Sequence, residues 1–205
     1  MTLLERWSGL LGGLVAVLVL VVVWQLAKEG EDLEARDARG RTALLVAAEE
    51  GRADRVRDLV EKGASIDAGD DCDWTAMMRA ASRGHVDILV YLLDQGANIN
   101  HTEKTGYTAL MGAVIANRPE AVQVLLERGA DPDIQEQEQY QTALMMAVRN
   151  RSPKLVRLLR DFGADTELVN KDGKRAKDLA LEATAETGSP VEKVLKELGC
   201  EPGGG

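Results

Sequence analysis

The sequence predicts an all-α solenoid of short helix pairs, preceded by one transmembrane helix. Three observations carry that prediction. Thr42, Thr75, Thr108 and Thr142 open the similar blocks T-A-L-L-V-A-A, T-A-M-M-R-A-A, T-A-L-M-G-A-V and T-A-L-M-M-A-V, at spacings of 33, 33 and 34 residues. Gly63, Gly96, Gly129 and Gly163 repeat those spacings, each closing a second apolar-periodic stretch. The run from Gly9 to Ala27 holds no charged residue. Hydrophobic residues make up 45% of the chain but aromatic ones only 3%, so Ala, Val and Leu carry the packing, as closely stacked small helices require.

After a short segment, residues 1–8, the uncharged run is 19 residues long. As a helix it spans roughly 28 Å, close to the ~30 Å hydrocarbon thickness of a bilayer. Trp7 and Trp24 bracket it where an aromatic belt lies. A cleaved signal peptide fits less well: the apolar run is too long, Glu5-Arg6 is a weak basic start, and no A-x-A site precedes Lys28. Arg6 and the terminal amine stand before the run, and Lys28, Arg36, Arg39 and Arg41 stand after it. That bias places the C-terminal domain in the cytoplasm, with an exported domain as the alternative. Within the run, Gly9 with Gly13 and Gly12 with Ala16 are small-x-x-x-small pairs, the pattern of a close helix–helix contact in lipid. Glycine is also common in membrane helices generally, and both readings stand.

The repeat begins at once. Gly30-Glu-Asp-Leu-Glu-Ala-Arg-Asp37 has the layout of Gly63-Ala-Ser-Ile-Asp-Ala-Gly-Asp70, so the apolar run occupies the slot of an earlier unit's second helix. The expectation is a transmembrane helix over 9–29 that runs into a half-repeat without a flexible linker. The repeat domain then covers 30–200, with units from about 37, 70, 103 and 137 and a capping unit from about 170.

Each threonine sits where a helix N-cap supplies a side-chain oxygen to free amides. Gly51, Gly84 and Asn117 fall at the turn inside each helix pair, and Pro119, Pro153 and Pro190 fall in first turns, where proline removes no hydrogen bond. In the fifth unit Arg175 takes the threonine slot, and K-R-A-K-D-L-A replaces apolar residues with charge, as a solubilising end cap does. Residues 201–205, Glu-Pro-Gly-Gly-Gly, read as a disordered tail.

A 33-residue period with two short helices per unit and a T-A-L-x-x-A block resembles the ankyrin repeat, whose signature is T-P-L-H-x-A. The resemblance covers about Gly30 to Gly199. It implies a scaffold that binds protein partners through hairpin tips and the concave face of the inner helices. This chain departs from the pattern in places. The family's proline is Ala43, Ala76, Ala109 or Ala143, and its histidine is Leu45, Met78, Met111 or Met145. With Met77 and Met146 the inner helices gather five methionines, read either as gap-filling core or as an adaptable binding face. The fourth unit carries one extra residue within Gln135–Gln141 and lacks the glycine before its threonine.

The binding positions implied by the resemblance contain several candidates. Trp74, Tyr107 and Tyr140 recur at 33-residue intervals, read either as partner anchors or as cover for the hairpin–helix junctions. Asp70, Asp71 and Asp73 cluster on one tip and Glu136 with Glu138 on another, where they would steer a basic partner or simply be solvated. Arg79, on the second inner helix, is counted with them.

The chain has 34 acids against 25 bases, and the net charge of −9 falls on the part after residue 27. That composition argues against nucleic-acid binding, which draws its affinity from basic residues on phosphates. Cys72 and Cys200 lie too far apart for a metal motif and read as free thiols, favouring a reducing compartment. With only His85 and His101, and no H-E-x-x-H, G-x-S-x-G or phosphate-loop motif, neither catalysis nor a cofactor or metal site has a footing. His85 is expected to be structural. The leading expectation is therefore a membrane-tethered interaction adaptor for a protein partner, which could be a membrane complex. Beside it stand an accessory subunit of a membrane assembly held through its transmembrane helix, and an exported repeat protein.

Overall fold

Ten helices form in pairs among the described residues of the computed structural model, which are 32–187 and 190–199. They are α1 Ala43–Glu49, α2 Ala53–Glu61, α3 Ala76–Arg83, α4 Val86–Asp94, α5 Ala109–Ile115, α6 Pro119–Glu127, α7 Ala143–Arg149, α8 Pro153–Asp161, α9 Ala176–Thr187 and α10 Pro190–Glu197. The odd-numbered helices stack on one another as an inner row and the even-numbered ones as an outer row. The expected transmembrane helix over 9–29, its packing residues Gly9, Gly12, Gly13 and Ala16, Cys200 and the tail 201–205 lie outside the described residues. Among the described residues, no helix is long and apolar enough to cross a membrane.

The inner helices begin as their threonines dictate. The Oγ1 atoms of Thr42, Thr75, Thr108 and Thr142 accept the backbone N–H of Leu45, Met78, Met111 and Met145 at 3.2–3.3 Å. The caps are buried, so water cannot replace them. The fifth inner helix solves the same problem differently. Arg175 has no cap oxygen, and the Asp178 carboxylate reaches back to accept the Arg175 N–H at 2.9 Å while pairing with its guanidinium.

Inside each of the first four pairs the chain turns through a left-handed residue: Gly51, Gly84, Asn117 and, unforeseen, Arg151 at φ 51°. The imidazole of His85 lies against Gly51, and its Nε2 is 3.2 Å from the Glu49 carbonyl, so this histidine is structural. The Nε2 of His101 is 3.1 Å from the Asp73 carbonyl.

The core lies between the two rows. Ala47, Ala48, Ala80, Ala81, Ala113 and Ala147 are buried on the inner helices, and their small side chains let successive helices approach closely. Leu59, Leu92, Leu125 and Leu159 are fully buried on the outer helices. Leu45, Met78, Met111 and Met145, in the slots where the repeat pattern carries histidine, are all buried, as is Met77. All five methionines are buried in the core, and Met146, 5% exposed, also borders a surface groove.

Candidate functional site: the inner-helix groove and the hairpin tips

Each unit enters its inner helix through a hairpin closed by one acidic or amide side chain. Asp37 accepts the N–H groups of Arg39 and Arg41, and Asp70 those of Cys72 and Trp74. Glu103 accepts those of Thr105 and Tyr107, and Asn170 those of Asp172 and Lys174. In the fourth unit Glu136, 1% exposed, takes the N–H of Glu138, Gln139 and Gln141. Two of the acids expected to meet a partner, Asp70 and Glu136, are thus turned inward and committed to backbone. Asp71 and Glu138 are exposed, and Asp73 is half-exposed in a left-handed conformation at φ 71°.

Burial alone would push the Asp70 carboxyl up. Its bond to the Arg79 guanidinium at 2.8 Å, with the Trp74 and Cys72 N–H groups, outweighs that and holds it below the ordinary range. The stability this contributes is present above the unfolded pKa of about 3.9 and is lost as pH falls through the depressed value. Asp37 is held at about 2 by the Arg41 guanidinium and the N–H groups of Arg41 and Arg39.

Successive hairpins are joined by single backbone bonds: Asp71 N–H to the Arg39 carbonyl, Lys104 to Cys72, Gln137 to Thr105 and Lys171 to Gln139. A second ladder runs through the loops after the outer helices, where Glu34, Asp67, Asn100 and Asp133 accept the N–H of Ser65, Asn98, Asp131 and Asp165. These acceptors recur every 33 residues, and sequence reasoning missed them.

The three aromatic candidates do not form one row. Trp74 and Tyr107 immediately precede their threonines, but Tyr140 stands two residues before Thr142. The extra residue lies in the hairpin tip, between Glu136 and Tyr140, so Tyr140 falls in the left-handed slot that Gly40, Gly106 and Gly173 fill elsewhere, at φ 55°. It is 49% exposed, and Gln141 takes the slot of Trp74 and Tyr107. Equal numerical spacing concealed a change of structural register.

Trp74 is half-buried. Its ring reaches the third inner helix at Gly112, where an added Cβ would meet it at 3.7 Å, and the Arg79 guanidinium lies over it at 4.6 Å from the centroid. Arg79 is thereby held between Asp70 and Trp74, with its Nε buried and without a hydrogen-bond partner.

Beside this cluster, between the third and fourth units, a groove of about 320 Å³ opens on the inner-helix face. Tyr107, Ile115, Gln141, Met146, Arg149 and Asn150 line it. Ile115 is 50% exposed. Burial, with the carboxylates of Glu136 and Glu138, pushes the Tyr107 phenol above its ordinary value, so at neutral pH it is a hydrogen-bond donor. Asn150 is committed to the fold, donating to the Val114 carbonyl at 2.8 Å. Of the sequence candidates the groove includes Tyr107 and, from the methionine set, Met146. Ile115 and Arg149 were missed, although the slot seven residues after each helix-opening position reads Glu49, Ser82, Ile115, Arg149 and Glu182, in which one apolar residue stands out.

Among the described residues, no group of three or more His, Cys, Asp or Glu side chains could hold a metal ion. The model of the family described as Ankyrin repeats (3 copies) matches the sequence over residues 16–103, 64–136 and 110–203. No curated protein matches the chain.

Proposed function

The chain belongs to the ankyrin-repeat family, and on that premise we propose that it is a protein–protein interaction adaptor held at a membrane by residues 9–27. The observation that carries the binding reading is the groove at Tyr107, Ile115, Met146 and Arg149. It is a concave, partly apolar site on a rigid stack, with Ile115 half-exposed and committed to no core. The tether is supported by the 19 uncharged residues, the bracketing tryptophans and the four bases that follow. The first match to the family model begins at residue 16, inside that apolar run. On this reading the repeats face the cytoplasm, close to the bilayer. The paired small residues Gly9, Gly13, Gly12 and Ala16 favour a second reading, in which the main contact is helix to helix within the membrane.

Alkaline carbonate extraction followed by purification in mild detergent tests both parts. The chain is expected to stay in the membrane fraction and to bring down a stoichiometric protein that Ile115→Glu releases. Extraction into the soluble fraction would overturn the tether. A partner retained by Ile115→Glu but released by Gly13→Ile would favour the second reading instead.

A further inference from the structure

We propose that the groove between the third and fourth units takes a segment of a protein partner that presents a carboxylate side chain to Arg149 and a large apolar side chain to Ile115, Met146 and Tyr107. This rests on the adaptor reading and adds to it the chemistry of the partner.

Two slots eight residues apart recur on the inner-helix face of the units. In the first unit they hold Arg41 and Glu49, paired at 2.9 Å, and in the fifth Lys174 and Glu182, paired at 2.8 Å. In the fourth unit the same slots hold Gln141 and Arg149, and Arg149 Nη1 donates to the Gln141 Oε1 at 3.0 Å. An amide oxygen orients a guanidinium without neutralising it. Arg149 makes no ion pair among the described residues, whereas Arg79 is paired with Asp70 and Arg83 with Glu49 on the same face. In a domain of strongly negative net charge, the groove is therefore lined by a cation that no carboxylate among the described residues pairs with.

The rest of the lining selects the second half of the ligand. Ile115 and Met146 give an apolar wall, and the Tyr107 hydroxyl has no hydrogen-bond partner among the described residues. At about 320 Å³ the groove is at the low end of the ~300–1,000 Å³ typical of ligand sites, room for one or two side chains rather than a cofactor. Guanidinium and carboxylate match as a bidentate pair, and an apolar anchor beside such a pair is the usual make-up of an interface hot spot. A nucleic acid or an anionic lipid surface needs a row of free cations. The groove lining holds only Arg149, and the exposed Glu138 nearby repels a polyanion.

The full chain in mild detergent, immobilised and screened with phage-displayed random peptides, tests this. Peptides selected on the wild type should carry Asp or Glu beside, or one helical turn from, a Leu, Ile, Met, Phe or Trp. Selection on the Arg149→Glu chain should put Lys or Arg in the place of the acid. The best wild-type peptide should bind Arg149→Ala roughly 10-fold more weakly, the weight of one charge-assisted hydrogen bond. The same consensus from both chains, a consensus without an acid, or no consensus would overturn the proposal. If any of these occurs while Ile115→Glu still releases the native partner, the adaptor reading stands and only the acidic–apolar chemistry falls. An acid consensus that follows Arg149, with no native partner recovered, supports the groove chemistry and counts against the adaptor.

Discussion

Replacing Leu125 by alanine is expected to lower the unfolding free energy by roughly 3–4 kcal/mol. Leu125 is fully buried on α6, and α6 packs against both α4 and α8, so the cavity opens where three units meet. Neighbouring helices are fixed by their own caps and hairpins and cannot collapse into the space, which keeps the loss above the low end of the range for such truncations. The position in the array adds a second effect. Stability in a repeat stack is close to a sum of unit and interface terms. Weakening the third unit therefore uncouples the first two from the last two. Urea unfolding followed by circular dichroism should show a lower midpoint and a transition that broadens into two steps. Ile115→Ala, a similar truncation at a half-exposed site ten residues away, should stay within about 1 kcal/mol of the wild type. Equal losses from the two variants would contradict the assignment of the core.

Glu136→Ala is expected to destabilise by roughly 2–4 kcal/mol, although removing an acid from a chain of net charge −9 would by charge alone be neutral or helpful. The Glu136 carboxylate lies at the centre of the fourth hairpin and accepts three backbone N–H groups at 2.8–3.1 Å. Without it, those donors lose their partner in a hairpin already stretched by one residue and turning through a left-handed Tyr140. Glu136→Gln keeps one acceptor oxygen and should lose about half as much. Glu138→Ala, two residues on and exposed, should change stability by under about 0.5 kcal/mol. Thermal melts of the three variants side by side would check the ordering, and a Glu138 effect as large as that of Glu136 would sink it.

The contrast between those two glutamates marks where the sequence was legible and where it was not. The architecture could be read because each repeat signal has a local cause. Thr42, Thr75, Thr108 and Thr142 cap helices, Gly63, Gly96, Gly129 and Gly163 end them in the left-handed region, and the prolines occupy first turns. The hairpin acids could not be sorted by type, since an aspartate that closes a turn and one that faces solvent look alike as composition. The signal was present in position: Asp37, Asp70, Glu103 and Asn170 each stand three residues before a left-handed slot, and Glu136 stands four before it. Tyr140 was placed with Trp74 and Tyr107 because a loop insertion can be assigned anywhere in its loop until the hydrogen bonds fix it. The groove was missed for a different reason. Ile115 and Arg149 meet across two units, and only the stacking of α5 on α7 brings them together.

The most direct test of the account places a photo-crosslinking amino acid at Ile115 in the full chain and irradiates intact cells or native membranes. The account predicts one defined adduct, joining the chain to a second protein in the membrane fraction. The same probe at Gln123, exposed on the outer helix α6, should give none. No adduct at Ile115, or the same adduct from Gln123, would contradict the claim that this chain holds a partner through its inner-helix groove.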